Sequence, residues 1–353
     1  MACPIILTRY LYFLDEVRYS LQESILDGKS FNECVFWCGE LYYSGYKKQL
    51  WEFVFEFYYN FCAVTHPRYE KKLAKIHSDF QKKNCISKIL AAITLLFYTK
   101  KNYEVFTIWR PQPDIPNKIY IGRNPKWYSA LDILPKYKNF IRSLHAKNWH
   151  NVVFYIHHLD SDLLYDSVKK YFIGVHDHKL KDKQLSDIPY ANKKHIILAL
   201  ILYLFIDESK IQKRNIFRAY DHSKYAQELE ESNIVVTPAY KTLGEKLQYQ
   251  INSNIGCFPL NRYIKGVNIQ HIYWYNWEYY SYQCPLWKKR FDQCKIKVDD
   301  DRKKIIFEDD DEYESFCEKY YYESDEQSKA IQEKNTGPIP KTSLESWLSN
   351  KLN

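Results

Sequence analysis

Apolar side chains recur at helical spacing along most of the chain, and their densest run lies between residues 30 and 62. Ser30 followed by Glu33 has the form of a capping box, which marks the start of a helix. A second apolar run, over residues 47–62, covers more than one face of a helix. Because such a helix must be covered by several others, we expect this helix pair at the centre of a domain.

The same pattern favours a mainly α fold. Long periodic segments outnumber alternating ones, and the 353 residues include only nine glycines. We predict two helical lobes with one or two short β-hairpins, divided near residue 180, where the composition becomes polar. The predicted regions are an N-terminal lobe over 1–175 with a hairpin arm near 105–122, a C-terminal lobe over 188–295, and a terminal region over 296–353.

The terminal region combines three features. Two β-branched runs, at 295–298 and 304–307, flank an acidic turn and predict a hairpin. Residues 299–326 hold thirteen acids against four bases, and could mimic nucleic acid, form a partner tail or lie as a solvated loop, although their aromatic residues favour partial helix. Residues 342–352 predict a capped amphipathic helix that either docks on a partner or folds back on its own domain.

Cysteine usage and hydropathy indicate the compartment. The nine cysteines include no CxxC pair, so we expect reduced thiols rather than a disulfide framework or a zinc ribbon. The most apolar run, Ile196 to Ile206, is eleven residues long, whereas a membrane span needs about 20. The first residues lack a small-residue cleavage site. We therefore expect a soluble intracellular protein that is not secreted and has no membrane span.

Charge is distributed unevenly. Residues 1–298 carry a formal charge of +15, although the whole chain carries +8. A basic body with aromatic side chains beside its cations can neutralise phosphates and stack bases. The competing interpretation is that the lysines are solvated and that Trp287 belongs to the core. The candidate nucleic-acid-binding residues are Arg123, Lys126, Trp127, Trp287, Lys288, Lys289 and Arg290.

Few sequence motifs indicate a catalytic or ligand-binding activity. The chain contains no P-loop, GxGxxG, GxSxG or HExxH motif, so the usual phosphate-binding and nucleophile classes are not indicated. His176, Asp177 and His178 could supply metal ligands, but they lie in a polar loop where solvated side chains are expected. We predict no cofactor.

Three segments carry a resemblance to a known family. ECVFWCGELYYSGYKKQLWEFVFEFYYNF at 33–61, the run at 123–156 and WEYYSYQCPLWKKRF at 277–291 resemble an uncharacterised protein family of nucleocytoplasmic large DNA viruses of the giant-virus type. The abundance of Tyr, Lys, Ile, Asn and Phe agrees with an A+T-rich genome. The resemblance implies an intracellular viral setting, in the host cytoplasm, the viral factory or the virion. It implies no catalytic residues.

The sequence leaves three functional hypotheses. The first is a non-enzymatic viral protein that acts through a protein partner in assembly or gene expression. The second is a nucleic-acid-binding factor that uses the basic, aromatic-rich surface. The third is an enzyme whose active site follows no recognised motif. Salt dependence separates the first two, because phosphate-driven binding weakens steeply with salt and an apolar protein interface does not.

Overall fold

The computed structural model describes residues 5–117, 125–178, 185–206, 211, 222–234, 250–320, 322, 330, 333 and 336–352. In these residues the fold is mainly α with one two-stranded antiparallel sheet, which confirms the predicted fold class. The helices are α1 Leu14–Asp27, α2 Phe31–Tyr43, α3 Lys47–Phe61, α4 Tyr69–Lys82, α5 Ile86–Tyr98, α6 Glu104–Trp109, α7 Lys126–Ala130, α8 Pro135–His145, α9 Trp149–His158, α10 Ser161–His176, α11 Lys193–Phe205, α12 His222–Ile234, α13 Ile269–Tyr275, α14 Trp277–Tyr282, α15 Pro285–Phe291, α16 Asp310–Tyr320 and α17 Leu344–Leu352. The strands are β1 Ile296–Asp299 and β2 Lys304–Phe307.

Polar side chains begin several of these helices. The Ser30 hydroxyl accepts a hydrogen bond from the Glu33 backbone N–H at 3.3 Å, which satisfies one of the donors that a helix start leaves open. Asn148, Asp160 and Asn192 cap α9, α10 and α11 in the same way. These caps fix where α2, α9, α10 and α11 begin.

The β-hairpin lies where the sequence predicts it, with Ile296 paired to Phe307 and Asp299 paired to Lys304. The predicted hairpin arm near 105–122 is wrong at its start, because Glu104–Trp109 is a helix. Asn102 caps this turn by accepting from the Glu104 N–H at 3.0 Å, and Val105 is fully buried. Packing therefore overrides the local strand propensity. Residues 118–122 lie outside the described part of the chain.

The chain forms two compact units that interleave along the sequence. Unit 1 comprises Met1–Trp51, Cys85–Phe97 and Ala219–Asn353, and unit 2 comprises Glu52–Asn84 and Tyr98–Arg218. The sequence instead predicted consecutive lobes that divide near residue 180, a position inside unit 2. A linear composition shift indicates a loop, but it does not indicate which helices pack together.

Unit 1 has an aromatic core. Trp277 and Trp287 are fully buried and meet edge to face, with ring centroids 5.4 Å apart. Phe291 on α15 stacks on Phe316 on α16 at 4.5 Å. The acidic stretch is therefore folded over its described residues: α16 presents acids outward and buries Phe316 and Cys317. This confirms the expectation of partial helix.

Three buried carboxylates of unit 1 are each paired with a cation. Glu40 binds Arg9 at 2.7 Å, and Glu16 binds Arg262 through two bonds of 2.5 and 2.9 Å. Glu23 binds Lys351 at 2.8 Å. Removing one partner of such a pair would leave an uncompensated buried charge, so these contacts fix the arrangement of α1, α2 and the later segments of unit 1.

The C-terminal helix folds back on unit 1. Trp347 of α17 is 3% exposed, and its indole N–H donates to Glu23 Oε1 at 2.9 Å. Its ring meets Phe258 edge to face at 5.5 Å, while Lys351 also contacts Asp27. Of the two alternatives that the sequence left open, the structure shows the intramolecular one.

Unit 2 is organised around α11, which is apolar on nearly every side and packs against α6, α9 and α10. His195 lies on this helix and is 1% exposed. Its Nε2 lies 3.1 Å from Asn60 Oδ1 and its Nδ1 lies 3.0 Å from the Tyr190 hydroxyl, while the Trp109 ring stacks on it. Burial lowers the pKa of His195 to about 3, so the ring is neutral at physiological pH.

Candidate nucleic-acid interface

The predicted nucleic-acid-binding residues divide between the two units. Trp287, Lys288, Lys289 and Arg290 all lie on α15 of unit 1, whereas Lys126 and Trp127 begin α7 in unit 2. Arg123 lies outside the described residues. The two groups of residues therefore belong to different compact units.

Helix α15 separates its aromatic residues from its lysines. Trp287 and Phe291, four residues apart, are fully buried, and the Trp287 indole N–H donates to the Thr8 carbonyl at 3.0 Å. The Arg290 guanidinium lies over the Trp287 ring at 4.5 Å, while Lys288 and Lys289 are exposed. Trp287 is thus a core residue with no face open to a base, and the prediction that it stacks nucleic acid is wrong.

Acidic side chains surround this basic stretch of unit 1. Lys288 lies 3.7 Å from Asp292, and its ammonium donates to the Tyr282 hydroxyl at 2.8 Å. Lys295 pairs with Glu308 at 3.2 Å, next to the acidic first turn of α16. Neighbouring carboxylates weaken the positive field here, so α15 is a poor phosphate-binding surface.

The corner between α7 and α8 in unit 2 is different. The Arg142 guanidinium carbon lies 4.1 Å from the centre of the Tyr128 ring, and the Lys138 ammonium lies 5.3 Å from the same ring. Lys138 and Arg142 are one helical turn apart on α8. The geometry therefore gathers two cations around one aromatic side chain of α7.

More cations flank this corner. Lys126, Lys136 and Lys147 are exposed, and residues 125–150 contain five Lys or Arg against one acid, Asp132, a local charge of +4. That acid lies 3.7 Å from the Lys170 ammonium, so it is already paired. We name the surface formed by Lys126, Tyr128, Lys136, Lys138 and Arg142 the α7–α8 face.

Trp127 borders this face without being fully buried. Its ring packs at 4.8 Å from His145 and at 5.7 Å from Tyr171. Trp127 therefore attaches α7 to α8 and α10, and the cations next to it are held in place by that packing.

Sequence reasoning found one end of this surface and missed the rest. It named Lys126 and Trp127 but not Tyr128, Lys138 or Arg142. A usable signal was present: Pro135 starts a helix, and Lys138 and Arg142 then follow at a spacing of four with one acid nearby. What the sequence did not contain was the packing of α7 against α8.

The candidate metal ligands do not form a site. His176 Nε2 lies 3.0 Å from the Tyr171 hydroxyl, and His145 Nδ1 lies 2.9 Å from that oxygen on its other side. The rings of His176 and His178 are 6.2 Å apart, and Asp177 caps α10 in the left-handed region at φ 52°. Across the described segments, no group of three or more His, Cys, Asp or Glu could hold a metal ion.

Two groups of this cluster have shifted pKa values. Burial lowers the pKa of His176, with further lowering from His178 and His145, and burial raises the pKa of Tyr171 to about 12. The protonated Tyr171 hydroxyl forms a hydrogen-bonded bridge between His145 on α8 and His176 on α10. This bridge stabilises the helix that carries Arg142.

Comparisons with protein-family models, with curated proteins and with solved structures found no match for this chain. The resemblance to a giant-virus family stays a prediction. Within the described residues, no helix is both long enough and apolar enough to cross a bilayer.

Proposed function

We propose that this protein binds nucleic acid through the α7–α8 face of unit 2, by contacts with the phosphate backbone. The observation that carries the proposal is the gathering of Lys138 and Arg142 around Tyr128, flanked by exposed Lys126 and Lys136. Clustered cations that release counterions from phosphates give affinity without base recognition.

Backbone contact fits the geometry better than base stacking does. Tyr128 already packs against two cations, and Trp127 packs against His145 and Tyr171. These rings orient the cations instead of presenting an open face to a base. Binding therefore depends on charge, varies little with sequence, and occurs with both single and double strands.

As in the first two sequence hypotheses, the chain acts through a surface and not through an active site. We rank the second of the sequence hypotheses ahead of the protein-interaction hypothesis, because the α7–α8 face is a defined surface and no comparable set of contacts marks a partner site in the described part of the chain. We further propose that the protein acts inside an infected cell, in the host cytoplasm or the viral factory, as the giant-virus resemblance implies.

Salt titration tests the proposal. The full chain is titrated against labelled single-stranded and duplex oligonucleotides of mixed sequence, with fluorescence anisotropy as the readout, at salt concentrations from about 50 to 200 mM. Each neutralised phosphate contributes about 0.7 (single strand) to 0.9 (duplex) to the slope of log K against log salt, so four or five contacts predict a slope of about −3 to −4.5. Absence of binding at the lowest salt, or a slope near zero, would overturn the proposal.

A further inference from the structure

A cavity of about 150 Å³ opens in unit 2, and its lining shares no residue with the α7–α8 face. Four tyrosines contribute to its wall: Tyr58 and Tyr59 from α3, Tyr165 from α10 and Tyr203 from α11. The Glu70 carboxylate lines it as well. The rest of the wall is almost entirely aliphatic, and it includes Ile196 and Ala199 on α11.

The hydroxyls of the two α3 tyrosines are already engaged in hydrogen bonds. The Tyr58 hydroxyl donates to the backbone carbonyls of His66 at 3.1 Å and Pro67 at 3.3 Å. The Tyr59 hydroxyl donates to Glu70 Oε2 at 2.9 Å. Burial and the Glu70 carboxylate raise the pKa of Tyr59, so its phenol stays protonated. Tyr58 and Tyr59 are 1% and 2% exposed, so their rings close the wall with little open surface, and half-buried Tyr165 and Tyr203 contribute more of the accessible aromatic surface.

The electrostatic character of the wall selects the charge of a ligand. Aromatic faces and a carboxylate both attract cations and repel anions. No lysine or arginine is among the described residues that line the cavity, so it is unsuited to phosphate.

The hydrogen bonds already made in the wall narrow the class of ligand further, because Glu70 Oε2 accepts from Tyr59 and the Tyr58 hydroxyl is bonded to two backbone carbonyls. A primary ammonium has three N–H donors that need partners when it is desolvated, whereas a quaternary ammonium has none. A quaternary ammonium spreads its charge over methyl groups that pack against aromatic and aliphatic side chains. The cavity is large enough for one such group.

We propose that this cavity is an aromatic cage that binds a small quaternary ammonium compound of the choline type. Tyr58, Tyr59, Tyr165 and Tyr203 provide the aromatic wall, and Glu70 provides the counter-charge. This site is independent of the proposed nucleic-acid interface, and either can fail without the other.

The test compares ligands that differ in charge but not in shape. Isothermal titration calorimetry of the full chain is done with choline, with tetramethylammonium and with 3,3-dimethylbutan-1-ol, the uncharged isostere of choline. We expect saturable binding of both cations. The affinity for the neutral isostere should be lower by a factor of about ten or more. No saturable binding of choline, or equal affinity for the isostere, would overturn the proposal.

Variants assign the contacts. Glu70→Gln keeps an acceptor for the Tyr59 hydroxyl and removes only the charge, so we expect choline affinity to fall about tenfold with little change in thermal stability. Asp162→Asn removes an exposed carboxylate outside the cavity lining, on the same helix as Tyr165, and should leave affinity unchanged. Tyr203→Leu keeps apolar volume and removes one ring, and should weaken choline more than the isostere. Unchanged choline affinity in Glu70→Gln would exclude the carboxylate and contradict the proposal.

Discussion

At the scale of single residues, burial decides the charge state of groups in the interior of each unit. His195 is held between Asn60 and Tyr190 in the interior of unit 2, and its geometry fits the neutral ring: Nε2–H donates to the Asn60 amide oxygen and Nδ1 accepts from the Tyr190 hydroxyl. Protonation would place a charge on a ring that is 1% exposed and would make Nδ1 a donor toward the Tyr190 hydroxyl.

We predict that His195 makes the protein sensitive to acid. Its pKa is about 3 in the folded state and about 6.5 when unfolded. The unfolded chain therefore binds one more proton between these values, and the free energy of unfolding falls by about 1.4 kcal/mol per pH unit as the pH drops through this window. Denaturant unfolding of the wild type and of His195→Leu at several pH values measures this slope.

In His195→Leu the contribution of His195 to the pH dependence of the free energy of unfolding is absent. The variant is also about 2–4 kcal/mol less stable at pH 7, because Asn60 loses a buried partner. His158→Leu is the matched control, since His158 is exposed and its Nδ1 lies 2.7 Å from the carbonyl of Phe154 in its own helix. An acid slope in His195→Leu as steep as in the wild type would contradict the assignment.

The residue scale also shows how far the sequence could locate a site. The run from Trp287 to Phe291 combines cations with aromatics, which is typical of nucleic-acid contacts, but the helical period turns both rings inward and Lys288 and Lys289 outward. Lys126 and Trp127 look weaker in sequence, yet they lie at the corner where Lys138 and Arg142 meet Tyr128. Local composition does not predict this tertiary contact.

At the scale of elements, periodicity predicted most helices and the hairpin because those elements depend on local spacing and turns. Ser30 starts α2 as its capping pattern indicates. Helix α6 was predicted as extended because Val105, Phe106 and Ile108 favour strands. It is helical because Phe61 lies 5.1 Å from Phe106 and the Phe61 carbonyl accepts from Asn102, neither of which the local sequence specifies.

The C-terminal helix gives a second prediction. Trp347 is 3% exposed, whereas Leu352 on the same helix is 69% exposed. Trp347→Ala removes a buried ring and the indole donor to Glu23, and we expect a loss of about 3–5 kcal/mol in the free energy of unfolding. Leu352→Ala, the matched control, should change it by less than about 0.5 kcal/mol.

Chemical denaturation of the two variants measures both values. Equal stability of Trp347→Ala and the wild type would show that α17 does not pack on α1 in solution. It would also restore the alternative in which this helix docks on a partner.

At the scale of the whole molecule, the two units differ in the direction in which burial shifts the pKa of their titrating groups. Burial raises the pKa of Glu16 to about 7 and that of Glu23 to about 6 in unit 1, against the lowering by Arg262 and Lys351. In unit 2, burial lowers the pKa of His195, and also those of His157 and His176. Acid therefore affects the units in opposite directions.

We predict that acidification from about pH 7.5 to 5.5 stabilises unit 1 by about 2 kcal/mol and destabilises unit 2 by about 1 kcal/mol. In unit 1 the folded carboxylates take up protons that the unfolded chain binds only at lower pH. In unit 2 the histidines bind more protons in the unfolded chain than in the folded one, because burial lowers their pKa values. Hydrogen exchange of peptides from α1 and α11, corrected for the intrinsic rate at each pH, reports the two openings separately. Parallel changes in both peptides would contradict this account.

The central claim is that phosphate binding belongs to the α7–α8 face. Its most direct test compares two variants that each remove two exposed lysines: Lys126→Ala/Lys136→Ala in unit 2 and Lys288→Ala/Lys289→Ala in unit 1. The measured quantity is the slope of log K against log salt for a duplex oligonucleotide. We expect the unit 2 variant to bind more weakly and to lose about 1.8 from the slope, while the unit 1 variant keeps the wild-type affinity and slope. Equal losses in the two variants, or a loss confined to the unit 1 variant, would show that the α7–α8 face is not the binding surface.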